Sequence, residues 1–204
     1  MKTLQDYLEN DKELRELLLQ RRYKEAMKYL PPSLVPLLVE MLLEIDNNLL
    51  DNISSLSSRM FYGSSIKEMI VPSNIETIEE SCFEDCVDLS SVIFHSQHKP
   101  SILKIEYCAF ANCKSLKKVD FSPVYDIAFG SACMFNCNSL NEITLPEHCM
   151  ISENAFYRCK KLSKVNYLSS IAEFKTNVVL FANSFKGTAV QYVTCLDGIV
   201  EVKR

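Results

Sequence analysis

The sequence predicts an α+β protein: a repeat solenoid of short stacked strands, with a helical cap at its N-terminus and a hairpin at its C-terminus. Three observations lead to this prediction. One residue pattern recurs six times between residues 53 and 195. The first 50 residues instead carry apolar side chains at helical spacing. An Asp-Gly pair near the end of the chain lies between two apolar runs, which favours a hairpin.

The repeat reads small–aromatic–x–x–Cys–x–x–Leu in its four central copies. A β-branched residue follows three positions after the leucine, and a large apolar residue follows two positions later. Another apolar residue stands five positions before the aromatic one. Two flanking copies lack one residue and carry Ser or Thr after a Gly, in place of Cys. The six units are keyed on Phe61, Phe83, Phe110, Met134, Phe156 and Phe185.

The end of each unit alternates apolar and polar residues with period two, which indicates a short, half-buried strand. Pro72, Pro123 and Pro146 follow three of these strands and are expected to end them. One unit cannot bury its own apolar side, so the units must stack in register. Strands at about 4.8 Å would make a block roughly 29 Å long. The longer spacings predict loops at 94–102 and 168–179.

The chain divides into a helical N-terminal cap at residues 1–52 and a solenoid of six units, ending in a hairpin, at residues 53–204. Pro31 and Pro32 interrupt the helical pattern, and Ser33 is expected to cap a helix that runs to about Ile45. An open solenoid end exposes core and strand edges, so capping is the expected role of these helices. The hairpin at 197–198 is predicted to cover the other end.

Composition and charge exclude several classes of protein. A net charge of −4 argues against a nucleic-acid binder, and the basic clusters at 21–24 and 117–118 are interpreted as solvated faces. The apolar stretch at 34–43 contains Pro36 and Glu40 and is too short to insert into a membrane. No signal peptide is recognised, which predicts a cytoplasmic protein, with the nucleus as the other possible compartment. Thiols stay reduced there.

The cysteines are predicted to be structural. Four of them share one repeat position and are expected to form a buried column of thiols: Cys86, Cys113, Cys137 and Cys159. A zinc site needs four ligands that converge on one point, whereas a column spaces them along a line. We therefore predict no metal, no cofactor and no catalytic residue. A Cys-dependent enzyme or a zinc protein, using His148 with Cys149 or the pair His95 and His98, stays open as the least favoured alternative.

The repeat resembles the BspA-like, or Treponema-type, leucine-rich repeats, over roughly residues 53–195. That resemblance implies a curved right-handed solenoid to which each repeat supplies strands, and roles in adhesion or protein binding. The chain differs from surface members of the family in lacking an export signal, yet a surface adhesin stays an alternative. Residues 30–34, ahead of a leucine-rich stretch and the repeats, also resemble part of an F-box. This second resemblance implies a substrate adaptor in which the helices recruit another protein.

The candidate binding surface follows from strand geometry, because the residues that flank each β-branched position point away from the core. These flanking residues form two outward rows along the sheet, and Ile70 and Thr194 also belong to these rows. We predict a non-catalytic scaffold that binds a protein partner on this face, and we leave its oligomeric state open. The candidate partner-binding residues are Glu68, Ser91, Ile93, Lys118, Asp120, Glu142, Thr144, Lys164, Asn166 and Tyr192.

Overall fold

A computed structural model describes residues 3–19, 23–45, 50, 53–96 and 102–202 of the chain. Its N-terminal part is helical, as predicted. The hydroxyl of Thr3 accepts a hydrogen bond from the Asp6 amide at 3.2 Å, and the Asp6 carboxylate accepts one from the Thr3 amide at 2.7 Å. This capping box starts the first helix. The helices are α1 (Leu4–Asn10), α2 (Lys12–Leu19), α3 (Tyr23–Met27) and α4 (Val35–Ile45).

Helix α4 ends at Ile45, as predicted, and begins at Val35. Pro36 lies in its first turn, where the missing amide hydrogen costs no helical hydrogen bond. The helix buries Leu38 and Val39 in the same apolar core as the solenoid. The carboxylate of Glu40 accepts a hydrogen bond from the Ser65 amide at 3.0 Å, which ties the helix to the first repeat. The boundary predicted between residues 52 and 53 adjoins residues 51 and 52, which lie outside the described residues, and it stays a prediction.

The repeats form two parallel sheets, and each unit supplies one strand to each. Sheet A contains β1 (Ser55–Leu56), β3 (Thr77–Ile78), β5 (Ile102–Ile105), β7 (Asp126–Phe129), β9 (His148–Ile151) and β11 (Val178–Leu180). Sheet B contains β2 (Glu68–Val71), β4 (Ser91–Phe94), β6 (Lys118–Asp120), β8 (Glu142–Leu145), β10 (Lys164–Tyr167), β12 (Tyr192–Cys195) and β13 (Gly198–Glu201). The residue pattern predicted the strands of sheet B. It did not predict those of sheet A, where β1 and β3 have only two residues each.

The turns between the sheets carry a stack of aromatic rings in the core. The ring of Phe83 lies 4.8 Å from those of Phe61 and Phe110, and all three are nearly parallel. Phe156 and Phe185 stack in the same way at 5.3 Å. These positions are the aromatic residues of the repeat, so the repeat period itself places like side chains on top of one another.

The same turns use a left-handed backbone twice in each unit, two residues before and two residues after the aromatic position. Asn, Asp and Gly tolerate this conformation best. Three of these side chains also bond between units: Asn112 donates to Asp85 at 2.9 Å, and Asn136 donates to Asn112 at 2.7 Å. The second set of positions is Gly63, Asp85, Asn112, Asn136, Arg158 and Gly187.

Two of the three prolines that were predicted to end strands do directly follow a strand. Pro72 and Pro146 directly follow β2 and β8. Strand β6 instead ends at Asp120, well before Pro123, because the Asp120 carboxylate accepts a hydrogen bond from the Ser122 amide at 2.9 Å and turns the chain.

The predicted loops differ from each other. Residues 97–101 of the first lie outside the described residues. The second contains a helix that the sequence reasoning missed, α5 (Ile171–Asn177), with a capping box between Ser170 and Glu173. Its Phe174 is buried against Tyr167, with the ring centroids 5.4 Å apart. The insertion therefore adds core as well as surface.

The C-terminal hairpin is confirmed, with its turn one residue earlier than predicted. Strand β13 pairs antiparallel with β12, and Gly198 pairs with Cys195, so the two-residue turn is Leu196 and Asp197. Gly198 has φ 152°, which side chains rarely adopt. The hairpin extends sheet B alone, because among the described residues no strand pairs with the outer edge of β11. It therefore covers only one of the two strand edges at this end, not the whole end as predicted.

Gly130 is a point where the stacked units approach closely. A Cβ atom there would lie 2.8 Å from the Ile105 carbonyl oxygen, to which the Gly130 amide already donates at 2.7 Å. We expect Gly130→Ala to lower the free energy of unfolding by about 2 kcal/mol, because neighbouring backbone must move. Urea denaturation followed by circular dichroism measures this, with Ser163→Ala, at an exposed serine, as the control. A Gly130→Ala protein as stable as this control would contradict the predicted close approach.

Candidate binding surface

One outward row of sheet B runs without a break across six parallel strands. It places residues in register as Ile70, Ile93, Asp120, Thr144, Asn166 and Thr194. Ile70 and Ile93 are 50% and 49% exposed, although both are large and apolar. A pair of adjacent exposed isoleucines next to charged side chains is an uncommon surface feature, whereas isolated exposed apolar residues are ordinary.

The second outward row carries most of the charge. Lys118, Glu142 and Lys164 are in register, and the Lys118 ammonium lies 2.9 Å from the Glu142 carboxylate. Asn166 donates to the same carboxylate at 3.0 Å. The hydrogen bond between Lys118 and Glu142 lowers the pKa of the Glu142 carboxyl and raises the pKa of the Lys118 ammonium. Such an exposed pair adds little stability but fixes the positions of both charges.

One predicted surface residue is not at the surface. Thr144 is only 6% exposed, although it lies on the outward side of β8. Its neighbours in the row, Asp120 and Asn166, have longer side chains, so a short threonine between them is screened from solvent. The other nine candidate residues are exposed or half-buried. Their role in binding a partner stays a prediction.

Sheet A has an outward face of its own, which the sequence reasoning missed together with its strands. Ile102 and Val179 are each 50% exposed, and Met150 lies in register with Val179. Tyr125 stacks against His148 with the ring centroids 5.0 Å apart. This face has fewer charges than the outward face of sheet B, and it provides a matched control surface.

The predicted column of buried thiols is confirmed, and the structure adds a hydrogen bond to each rung. Every thiol of the column donates to the backbone carbonyl of the aromatic-position residue in the preceding unit. The donors and acceptors are Cys86 to Phe61 at 2.9 Å, Cys113 to Phe83 at 3.2 Å, Cys137 to Phe110 at 3.1 Å, and Cys159 to Met134 at 2.9 Å. The carbonyls of Phe61, Phe83 and Phe110 also accept a backbone amide, so the thiol gives each of them a second hydrogen bond.

The buried thiols are poor nucleophiles. Burial raises the pKa of Cys149 to about 12, and it raises the pKa of Cys82 and Cys133 well above the usual thiol range. The thiolate is the reactive form, so these groups are protonated at neutral pH. His148 and Cys149 are successive residues of β9, with the cysteine buried and the histidine on the outward side. They do not form a nucleophile and base pair.

The described residues contain no group of three or more His, Cys, Asp or Glu side chains that could hold a metal ion. His95 is exposed, whereas its predicted partner His98 lies outside the described residues. In the part of the chain that the structure covers, no helix has both the length and the apolar character needed to cross a membrane.

Two parallel sheets joined by turns with stacked aromatic rings and thiol rungs define a β-solenoid built from leucine-rich repeats. The sequence model of a protein family, described as BspA type leucine rich repeat region, matches residues 54–188 of the chain in six copies. The chain belongs to this family. The resemblance seen in the sequence is thereby confirmed, and the six copies agree with the six units.

Two solved structures are similar to this chain, and both come from bacteria. A leucine-rich repeat protein from Eubacterium ventriosum is 22% identical with a TM-score of 0.48, over 64% of this chain and 33% of its own. A leucine rich cell surface protein from Faecalibacterium prausnitzii is 22% identical with a TM-score of 0.40, over 56% of this chain and 35% of its own. The chain thus spans about a third of the length of either protein. No curated protein is significantly similar to it.

Proposed function

We propose that this chain is a non-catalytic scaffold that binds another protein through the outward face of sheet B. The observation that carries the proposal is the row in which exposed Ile70 and Ile93 lie side by side, next to Asp120. Lys118 and Glu142 form the charged row beside it. An apolar centre with a polar rim is the usual composition of a protein interface.

The size of this face sets a requirement on the partner. Six parallel strands span about 24 Å, and four residues span about 13 Å, which gives roughly 300 Å². A standard protein interface covers about 800 Å² on each side. A partner that binds here therefore also covers the turns that border the sheet.

The proposal includes no cofactor and no turnover. The four thiols of the column are held in the core, where they donate to carbonyls of the preceding unit. The same face would serve in a cytoplasmic, nuclear or exported protein, so the proposal does not depend on the predicted cytoplasmic location. Recruitment of an adaptor by residues 30–34 stays a separate prediction.

Affinity purification from cells that naturally express the protein tests the proposed face. Ile70→Gln/Ile93→Gln removes the apolar centre of sheet B. Ile102→Gln/Val179→Gln makes the matched change on sheet A, where the exposure is equal. We expect the sheet B variant to recover at least about tenfold less of the partners seen with the unmodified chain, the loss typical of a central interface pair.

The sheet A variant is expected to keep those partners. Equal recovery of the same partners by the sheet B variant, or a loss confined to the sheet A variant, would show that the wrong face has been chosen. Quantitative mass spectrometry of both samples distinguishes these outcomes.

A further inference from the structure

Besides Lys67 and Lys118, five exposed lysines lie along one margin of sheet B, where the turns lead into its strands. Within the part of the chain that the structure describes, none of the five forms an ion pair. We call this set the basic ridge. It consists of Lys114, Lys117, Lys160, Lys161 and Lys164.

Stacking brings these lysines together although they are far apart in sequence. The carbonyl of Lys117 accepts a hydrogen bond from Asn141 at 2.9 Å, and the carbonyl of Asn141 accepts one from Lys164 at 3.1 Å. Lysines of the third and fifth units are therefore two rungs apart, about 9.6 Å. The fourth unit between them contributes Asn138 and Asn141, which are neutral.

Two further cations extend the positive surface beyond the basic ridge. Arg158 lies over the ring of Tyr157 at 5.4 Å, and Lys186 lies over the same ring at 5.9 Å. Glu142 lies in register between Lys118 and Lys164, and it already pairs with Lys118. The ridge is therefore a local excess of positive charge on a chain whose net charge is −4.

The sheet A margin of these same connecting turns is acidic. The turns that lead from sheet A to the aromatic positions carry Glu79, Glu80, Glu106 and Glu153. A nucleic acid or an anionic membrane would bring many negative charges close to this margin as well, and the resulting repulsion opposes binding. A short acidic segment of a protein can contact the ridge alone.

We propose that the basic ridge binds an extended acidic segment of the partner protein. The inference rests on the proposed function, since it gives the chemistry of the protein that covers sheet B. Lys164 belongs both to the ridge and to the outward row of sheet B, so one partner covers the two surfaces together. Lysine ammonium groups on flexible stems suit carboxylates of an extended chain, which need no fixed bidentate geometry.

Fluorescence anisotropy with a fluorescein-labelled dodeca-glutamate peptide and the full chain tests this proposal. We expect Lys117→Glu/Lys161→Glu to weaken binding by about tenfold, and Lys117→Gln/Lys161→Gln to weaken it by about threefold. The control Lys104→Glu/Lys175→Glu makes the same change of charge on exposed lysines of β5 and α5. It is expected to weaken binding by less than about twofold. Circular dichroism verifies that all variants are folded.

Three outcomes would overturn the proposal. The first is no binding of dodeca-glutamate at low ionic strength, and the second is an equal loss in the control variant. The third is tighter binding of dodeca-thymidylate or of phosphatidylserine vesicles than of the peptide, which would identify a nucleic-acid or membrane surface instead. If the basic ridge does not bind the peptide, the loss of partners expected for Ile70→Gln/Ile93→Gln is unchanged. Failure of the sheet B face leaves peptide binding intact.

Discussion

Raising the pH from about 8 to about 10 under reducing conditions is expected to unfold this protein. The cause is a set of five buried thiols whose pKa is raised in the folded chain. Burial holds the pKa of Cys82, Cys133 and Cys149 above the usual thiol value. The pKa of Cys137 is raised as well, by its hydrogen bond with the Cys113 thiol and by burial. The pKa of Cys159 is raised by its hydrogen bond with the Cys137 thiol and by burial. In the unfolded chain all of these thiols ionise near pH 8.5.

The sign of the effect follows from proton binding. At a pH below the pKa of the unfolded thiols, these thiols are protonated in both the folded and the unfolded chain, and the free energy of unfolding is not reduced. Above it the unfolded chain loses protons while the folded chain keeps them, so stability falls as pH rises toward the folded-state pKa. Each such thiol costs about 1.4 kcal/mol per pH unit in this window. Five of them together reach the total stability of an ordinary domain, about 5–15 kcal/mol, within one or two units.

Urea denaturation at a series of pH values measures this dependence. The variant Cys149→Val removes one thiol whose folded-state pKa is about 12. It is expected to reduce the slope of stability against pH by about 1.4 kcal/mol per unit. A chain equally stable at both ends of the pH range would contradict the burial of the thiols.

Phe83→Ala is expected to lower the free energy of unfolding by about 3–5 kcal/mol. Phe83 is fully buried, and its ring is stacked between two others at 4.8 Å on either side. Alanine would leave a cavity at the centre of the stack, which the neighbouring units cannot fill because backbone bonds fix their separation. Phe83→Met should cost less than about 1.5 kcal/mol, since Met134 occupies the same repeat position in the fourth unit.

Urea unfolding followed by circular dichroism distinguishes these variants. Tyr107→Ala, at an exposed aromatic residue in a neighbouring turn, is the control and is expected to change stability by less than about 0.5 kcal/mol. A Phe83→Ala protein no less stable than this control would mean that the ring stack does not hold the units together.

The sequence predicted the parts of the fold that recur. Six units repeat one pattern, and four of them share the same cysteine and leucine positions. The β-branched and large apolar residues that end each unit indicated the strands of sheet B. Sheet A was missed because β1 and β3 each have two residues and only one apolar position that recurs. Helix α5 was missed because the insertion occurs once, although Ser170 and Glu173 form a capping box that could have indicated it.

The candidate binding surface, like the fold, was predicted from the sequence only in part. Alternation of inward and outward side chains is a local rule, so it correctly placed Ile93 and Lys118 on the outside. The burial of Thr144 was not predictable, because it depends on the side-chain lengths in two neighbouring strands. The basic ridge was missed for a related reason. Lys117 and Lys161 become neighbours only when the units stack, and in the sequence each belongs to a short cluster that is typical of a solvated face.

Photo-crosslinking tests the binding of a protein by sheet B most directly. The photoreactive residue p-benzoylphenylalanine is placed at Ile93 in one sample and at Ile102 in another, two isoleucines of nearly equal exposure on opposite sheets. Cells that naturally express the protein are irradiated, and the crosslinked proteins are identified by mass spectrometry. The proposed function predicts a partner joined to position 93 and absent at position 102. A partner joined at position 102 and absent at position 93 would contradict it.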